Sequence, residues 1–496
     1  MKKQNTAALC AALLLLASSV AACGGEAEQP AAGTSAQEGE KQTEEQAVTE
    51  KLYTDAIESA DMGGMEFRIF TSNALNGYEG PTTINTAADE NGEPVNDALY
   101  ARDRWLEEHF NVTVKTTDQK DESYMFNSNF LKKLITAGDD QFDMILQDIV
   151  NVSRTLAVDD AYIYALDTID TIHLDADYWM PELNKPLNIG DHTYFAACPA
   201  SPRYYTSAYV LLFNKNLTRD LDIENLYDLV KNGTWTIDKL SEISKLGLAD
   251  VDGNGVYDVN DRYGFLWHSL APTSFVLGAG YNYVENKNGT LVCNLDNSAL
   301  VNYIDKISAL FTQPSSNTEF YDDIAYNGAG NFLFCAPATM ELNDYREVNY
   351  DYGILPFPKQ NAEQKDYITY AQPWILMSPT VPVTITGDRV NTVGTLVDAY
   401  TAYGLDYIRP AVFNNVLQVK GTRDEESAEI INRIYDNITF DLMTIFKFDQ
   451  LSPTVSEYWA NLASGKGIQS MYAAITEATA KSMQTLTETL IAHAEN

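Results

Sequence analysis

The chain has 496 residues, 33 Lys and Arg against 70 Asp and Glu, a net charge of -37, and an apolar share of 45%. That excess of acid argues against nucleic acid or an anionic lipid surface as a partner held by charge. The length exceeds what a single hydrophobic core holds, so more than one folded lobe is expected.

The sequence opens with Lys2 and Lys3, an apolar run from Ala7 to Ala17, and Val20-Ala21-Ala22-Cys23 before Gly24. This reads as a lipoprotein signal peptide over residues 1–22. The lysines hold the start of the chain inside, and the apolar run enters the translocase. Small residues at 21 and 22 fit a peptidase cleft, and the Cys23 thiol offers the site of lipidation. The run is shorter than the roughly 20 apolar residues that a membrane span needs. The alternatives are a secreted protein with a cysteine there by chance, or a transmembrane anchor. Cleavage would remove both lysines and leave -39. The expected location is the extracellular face of the cell membrane of a Gram-positive bacterium, lipid-anchored. Of the five cysteines, Cys198, Cys293 and Cys335 then remain, an odd number that is no disulfide framework. They read as small core residues, with one pair left open in an oxidising compartment.

From Gly24 to about Glu50 the residues are Glu, Gln, Ala, Gly, Ser and Thr with almost no large apolar ones. Such a segment cannot bury enough surface to fold. Residues 23–60 are therefore expected to form a tether, whose roughly 30 flexible residues reach about 30 Å.

Ordered sequence is expected from Gly64. Met65 to Thr71 alternates as a strand, Val95 to Phe110 has helical spacing with Trp105 in its core face, and Asn111 to Lys115 reads as a second strand. A helix over about 127–137 ends at Gly138, and Phe142 to Gln147 is a third strand. Strand, helix, strand, helix, strand predicts a parallel α/β sheet. Asp148 then falls just beyond a strand's carboxyl end, where ligands of such sheets sit.

A second alternating region starts at Ala208 to Phe213, continues through a helix from Thr236 to about Leu246, and includes the run Asn331 to Cys335. Tyr367 to Met377 returns to strand character, helices are expected at 388–403 and 425–435, and Ser456 to Ala494 reads as almost wholly helical. The expected architecture is two lobes joined by several crossovers at a hinge. The first takes 61–207 plus 362–420, and the second 208–361 plus 421–496.

The loop from Asp250 to Asp261 places oxygen side chains at positions 1, 3, 5, 9 and 12: Asp250, Asp252, Asn254, Asp258 and Asp261. Gly255 stands at position 6, and Val256 at position 7 offers its carbonyl. Calcium takes six to eight hard oxygens, and this spacing wraps one loop around one ion. A solvated acidic turn is the plain alternative. Asp at position 12 resembles dockerin-type loops, and Arg262-Tyr263-Gly264-Phe265 reads as turn and strand rather than a second EF-hand helix. The expectation is a structural calcium staple, not a sensor.

Several segments together resemble the family 1 extracellular solute-binding proteins, the lipoprotein components of Gram-positive carbohydrate ABC importers. They are Gly92-Glu93-Pro94-Val95-Asn96-Asp97-Ala98 with Arg102 and Glu107-Glu108, Phe213-Asn214-Lys215, Gly233-Thr234-Trp235-Thr236, the acidic loop, and Tyr352 to Lys359. The resemblance spans about 65–470. It implies an α/β, two-lobe, periplasmic-binding-protein-like fold with a hinge and an interlobe ligand cleft, a sugar or oligosaccharide as ligand, an ABC transporter permease as partner, and a monomer that touches the membrane only through its lipid. The sequence departs from the family at Asp177-Tyr178-Trp179 and Ala371-Gln372-Pro373-Trp374.

Sugars are bound by rings stacked on their C–H faces and by polar side chains that grip their hydroxyls. The candidates are Asp148, Trp267, Arg346, Trp374 and Trp459, with Tyr204 and Trp235 behind them. Each tryptophan has core packing as its alternative role. Trp235 has the start of its helix to fix, and Arg346 has a salt bridge with a carboxylate such as Asp344 or Glu347. A peptide or other polar solute is the alternative cargo. The alternative class is a surface-anchored polysaccharide-degrading enzyme, whose paired carboxylates would stand about 5–9.5 Å apart. The sequence carries no nucleophile elbow, zinc-helix motif or phosphate loop, and its five histidines are scattered. A non-enzymatic binding protein is the expectation.

Overall fold

Thirteen strands are found in the computed structural model, which describes residues 51–73, 80, 82–119, 127–325, 329–414, 424–462 and 465–494, without the side chains of 127, 128, 343, 346 and 347. All elements below belong to the unit that runs from Lys51 onward. The strands are β1 (Met65–Thr71), β2 (Val112–Asp118), β3 (Met144–Asp148), β4 (Leu211–Asn214), β5 (Tyr263–Leu266), β6 (Val284–Lys287), β7 (Thr290–Cys293), β8 (Ser316–Asn317), β9 (Phe332–Cys335), β10 (Tyr352–Leu355), β11 (Thr369–Tyr370), β12 (Met377–Thr380) and β13 (Ile438–Thr439).

Two sheets organise the body. The first has the order β12-β3-β1-β2, with β1 parallel to both β2 and β3 and β12 antiparallel to β3. The second has the order β10-β4-β9-β5-β8, with β5 parallel to β8 and β9, and β4 antiparallel to β9 and β10. In each sheet the antiparallel strand is the one that arrives from the other half of the molecule. The remaining strands form the hairpin β6–β7 and the short pair β11–β13.

Among the described residues the chain passes between the halves at two places, near Ala208 and near Ala371, which lie side by side. Ala208 bridges Ala371, Gln372 N donates to Ser207 O at 2.8 Å, and Ala371 N donates to Thr439 O at 2.8 Å. The crossings also tie the carboxyl ends of both sheets together. Met377 pairs with Asp148 at the end of β3, while Tyr209 pairs with Ala338 just past the end of β9.

Local sequence explains the elements. The helix Pro94–Phe110 starts at proline, is capped by the Glu93 carboxylate on Asn96 N, and ends at Asn111 in the left-handed region. It buries Leu99, Leu106 and Phe110 at helical spacing. Trp105 in this helix is half-buried rather than fully in the core. The expected strand from Tyr367 to Met377 is two strands, because the chain turns between β11 and β12 around Pro373, which has no N–H for a ladder. The expected C-terminal helix is three, Leu451–Ala460, Ile468–Ala473 and Thr476–Ala494, with Gly465 at φ +70 between the first two. On β5, a Cβ at Gly264 would stand 1.6 Å from Ser244 O, so this strand position admits only glycine.

One apolar cluster under the first sheet contains Phe67, Leu106, Phe110, Trp179 and Tyr400. A larger one surrounds the second sheet and continues through Leu187, Ile189, Tyr194 and Ile145 of the first half. The core is thus continuous across the crossings. Cys198, Cys293 and Cys335 are free and buried.

Candidate functional site: the interlobe cleft

In an open α/β sheet, ligands sit outside the carboxyl ends of the strands. Here those ends belong to β1 and β3 in one half and β5 and β9 in the other, and the crossings hold them to one region. Two groups of side chains stand there.

The first group is polar. Asp148, 5% exposed, ends β3 and caps the following turn, accepting from Asn151 N at 2.9 Å and Asn151 Nδ2 at 2.7 Å. Burial pushes its carboxyl up to about 6, opposed by the Asn151 bonds and by the charge of Arg203. Arg203 is also buried and spends its donors on backbone: Nε on Thr83 O at 2.6 Å and Nη2 on Ser72 O at 2.8 Å. Burial lowers its pKa to about 10. These bonds fix the segment just after β1. Arg154 lies over the half-buried Trp374 ring at 5.0 Å and donates to the carbonyls of Thr444 and Ile445 in the other half.

The second group is aromatic. Trp267, directly after β5, stacks on Phe311 with centroids 4.2 Å apart and planes at 15°. Trp459 meets the same Phe311 at 5.9 Å, and its indole N–H donates to Tyr283 Oη at 2.9 Å. The Trp267 indole N–H, by contrast, is buried without a partner. An unpaired buried donor costs about 1–3 kcal/mol, so it marks a place where an acceptor is wanted.

The predicted residues therefore separate. Trp267 and Trp459 come together through Phe311, and Asp148 and Trp374 come together through Arg154, whose guanidinium feels the Asp148 charge. Tyr204 and Trp235 join neither group. Tyr204 is 3% exposed and packs edge-on against Tyr205, while Trp235 is wholly buried with its N–H on Pro356 O at 3.0 Å. Both belong to the apolar core, as Trp267 and Trp459 do. Arg346 belongs to the helical turn Thr339–Glu347 beyond β9, and its side chain lies outside the described residues. Cys23 lies outside them as well. Phe311, Arg154 and Arg203 were not anticipated. The helix Ser298–Thr312 that carries Phe311 buries Leu300, Tyr303, Ile304, Ile307 and Phe311, a period of three and four visible in the sequence, and Asn297 caps it.

The acidic loop closes where Ala249 pairs with Arg262. Carboxylate oxygens of Asp250, Asp252 and Asp261 lie within 4.8 Å of one another, and Asp261 is fully buried. Asp250 accepts from Gly253 N and Gly255 N, Asn254 Oδ1 from Val256 N, and Asp258 Oδ1 from Asn260 N. The loop precedes β5, so it sits at the end of the second sheet away from the cleft. Among the described residues no helix is long and apolar enough to cross a membrane.

No family profile matches the sequence, and no curated protein matches it. Solved structures do match in fold. MalE of Listeria monocytogenes, a maltose-binding periplasmic protein in complex with maltose, shares 14% identity over 85% of this chain and 98% of that one, with a TM-score of 0.53. The sugar-binding protein MalE from Xanthomonas citri shares 11% over 86% and 98%, also with a TM-score of 0.53. A designed esterase shares 11% over 86% and 99%, with a TM-score of 0.56. At such identities the likeness is one of fold, and it extends over nearly the whole of each neighbour.

Proposed function

We propose that this chain is an extracellular solute-binding lipoprotein, which captures a sugar or oligosaccharide between its two lobes and delivers it to an ABC transporter permease. The observation that carries the reading is the unpaired Trp267 N–H beside stacked rings at the carboxyl end of β5. Ligand hydroxyls would accept from that N–H and meet Asp148 from the other half, while C–H faces lie on the rings. The fold shared with maltose- and sugar-binding proteins supports the same cargo. Cys23 would carry the lipid, and the chain after it a tether that keeps a receptor concentrated at its importer and ends before Thr54, whose N–H and hydroxyl donate to Asp406 at 2.8 Å. Closure of the lobes on the ligand would be what the permease recognises.

The acidic loop would hold a structural calcium ion through Asp250, Asp252, Asn254, the Val256 carbonyl, Asp258 and Asp261. The convergence of three of those carboxylates supports this, because calcium takes hard oxygens gathered at one point.

A thermal-shift screen tests the cargo, with maltose, maltotriose, acarbose and a set of short peptides in calcium-containing buffer. A sugar is expected to raise the melting temperature in proportion to the logarithm of its concentration. Stabilisation by peptides alone would replace the cargo, and release of shortened glycans on incubation would make the protein an enzyme.

A further inference from the structure

Arg154 holds a charge that the fold leaves unanswered. It stands on the π-helical turn Val152–Ala157 after the Asp148 cap, where Val158 N donates to Ser153 O at 3.1 Å. Such turns recur at functional sites. The side chain is half-buried, with its guanidinium over the Trp374 ring and directed at the turn Leu442–Ile445. Nε donates to Ile445 O at 3.2 Å and Nη2 to Thr444 O, carbonyls that a short helical turn leaves without donors of its own. Nη1 donates to nothing among the described residues.

Elsewhere carboxylates answer the arginines: Arg68 and Arg389 share Asp143, and Arg102 meets Asp103. Arg154 meets only carbonyls among the described residues, in a chain with 70 acidic side chains. Asp148 is the carboxylate whose charge it feels, but both Asp148 oxygens are turned to Asn151. Burial disfavours the charged guanidinium and lowers its pKa. A carbonyl supplies a dipole and no charge, so the place stays positive.

We infer that Arg154 receives a carboxylate of the ligand through Nη1, and that the sugar taken by this cleft is an acidic one that carries uronic acid units. The inference rests on the reading that a sugar binds between the lobes. A planar guanidinium matches a carboxylate in shape and shares strong, charge-assisted bonds with it. One unanswered positive charge suits a singly charged carboxylate, whereas a phosphate would leave excess negative charge partly buried. The net charge of -37 opposes an acidic ligand. Exposed charges more than about 8 Å apart are largely screened at physiological salt, while contact with a half-buried guanidinium is screened much less.

Isothermal titration of the whole protein tests this. The probes are di-, tri- and tetramers of galacturonate, glucuronate, mannuronate and guluronate, each beside a neutral counterpart with a hydroxymethyl group in place of the carboxylate. A uronate is expected to bind about tenfold tighter than its counterpart, or more. Its affinity should fall as salt rises, while that of the neutral sugar stays level. Arg154→Gln should remove most of the difference, and Arg154→Lys, which keeps the charge and loses the planar fork, should keep part of it. That ratio is a readout that capping of the turn Leu442–Ile445 alone would not move. Arg154→Lys also serves as the conservative variant should Arg154→Gln fail to melt cooperatively. No response to any uronate, or a ratio unchanged in the variants, overturns the inference. Binding of neutral sugars alone removes the acidic cargo and leaves the sugar reading standing, whereas binding of short peptides alone removes both.

Discussion

Asp148 and Trp267 end equivalent strands of the two sheets, yet they meet opposite surroundings. Asp148 caps the turn after β3, accepting from Asn151 in the field of a buried arginine, and the polar groups around it are fixed by backbone carbonyls. Trp267 is held by ring stacking, and its one polar atom has no partner. The first half thus sets directional polarity on a rigid frame, and the second sets packed rings with a single unpaired donor.

The largest expected effect comes from removing the aromatic side. Trp267→Ala deletes a ring packed on Phe311 and should lower stability by about 3–5 kcal/mol, read from denaturant unfolding. Trp267→Phe keeps most of the packing and loses only the donor. Its stability should stay within about 1.5 kcal/mol of the parent, while affinity for the sugar found in the screen falls about tenfold. Equal affinity in Trp267→Phe would remove the N–H from the site.

The polar side is sharpened by pH. Asp148 and Asp441 are both buried with their carboxyls pushed up to about 6, Asp441 while capping the turn Leu442–Ile445. Their unfolded value is the ordinary 3.8. Between about pH 4 and 6 the native state therefore holds protons that the unfolded state has released. Stability contributed by these groups rises as pH falls from above 6 toward 4, then levels off, by at most about 3 kcal/mol per group. Asp148→Asn should flatten its share of that slope in unfolding curves taken from pH 7 to pH 4. A slope unchanged by the substitution would mean that Asp148 is not the titrating group.

Removing the proposed calcium ion should act on the second half alone. At a calcium concentration a hundred times its dissociation constant, bound ion adds about 2.7 kcal/mol. A chelator should lower the melting temperature of the parent and leave Asp252→Asn much less affected. If elemental analysis finds no calcium and chelator moves neither, the loop is a hydrogen-bonded turn.

How far these features can be read in the sequence depends on how local their causes are. β1 and the helix Glu425–Tyr435 follow period and capping within their own residues, and their bounds match the pattern. The three-carboxylate cluster of the acidic loop is legible for the same reason, since its ligand spacing lies within twelve residues. The hairpin β6–β7 gives a weak signal, for Asn288-Gly289 is a common turn pair but its strands have only four residues each. Arg154 and Arg203 are invisible in sequence because their partners lie about 290 and 130 residues away. Tyr204 shows the converse: an aromatic chosen for its ring and its place ahead of β4 is packed edge-on against Tyr205 inside the fold.

The smallest expected effect is also the control for the comparison. Trp235 resembles Trp267 in composition and in its place near a strand-end loop, but its N–H is satisfied by Pro356 O and its ring packs on Phe334. Trp235→Phe should leave the Pro356 carbonyl without its donor and shrink the ring, lowering stability by about 1–2 kcal/mol. Sugar affinity should not change, because nothing about this indole is open to a ligand. The paired measurement is therefore selective: Trp267→Phe moves affinity more than stability, and Trp235→Phe does the reverse. Equal affinity losses in both would mean that tryptophan content near the strand ends, rather than the unpaired N–H after β5, decides binding.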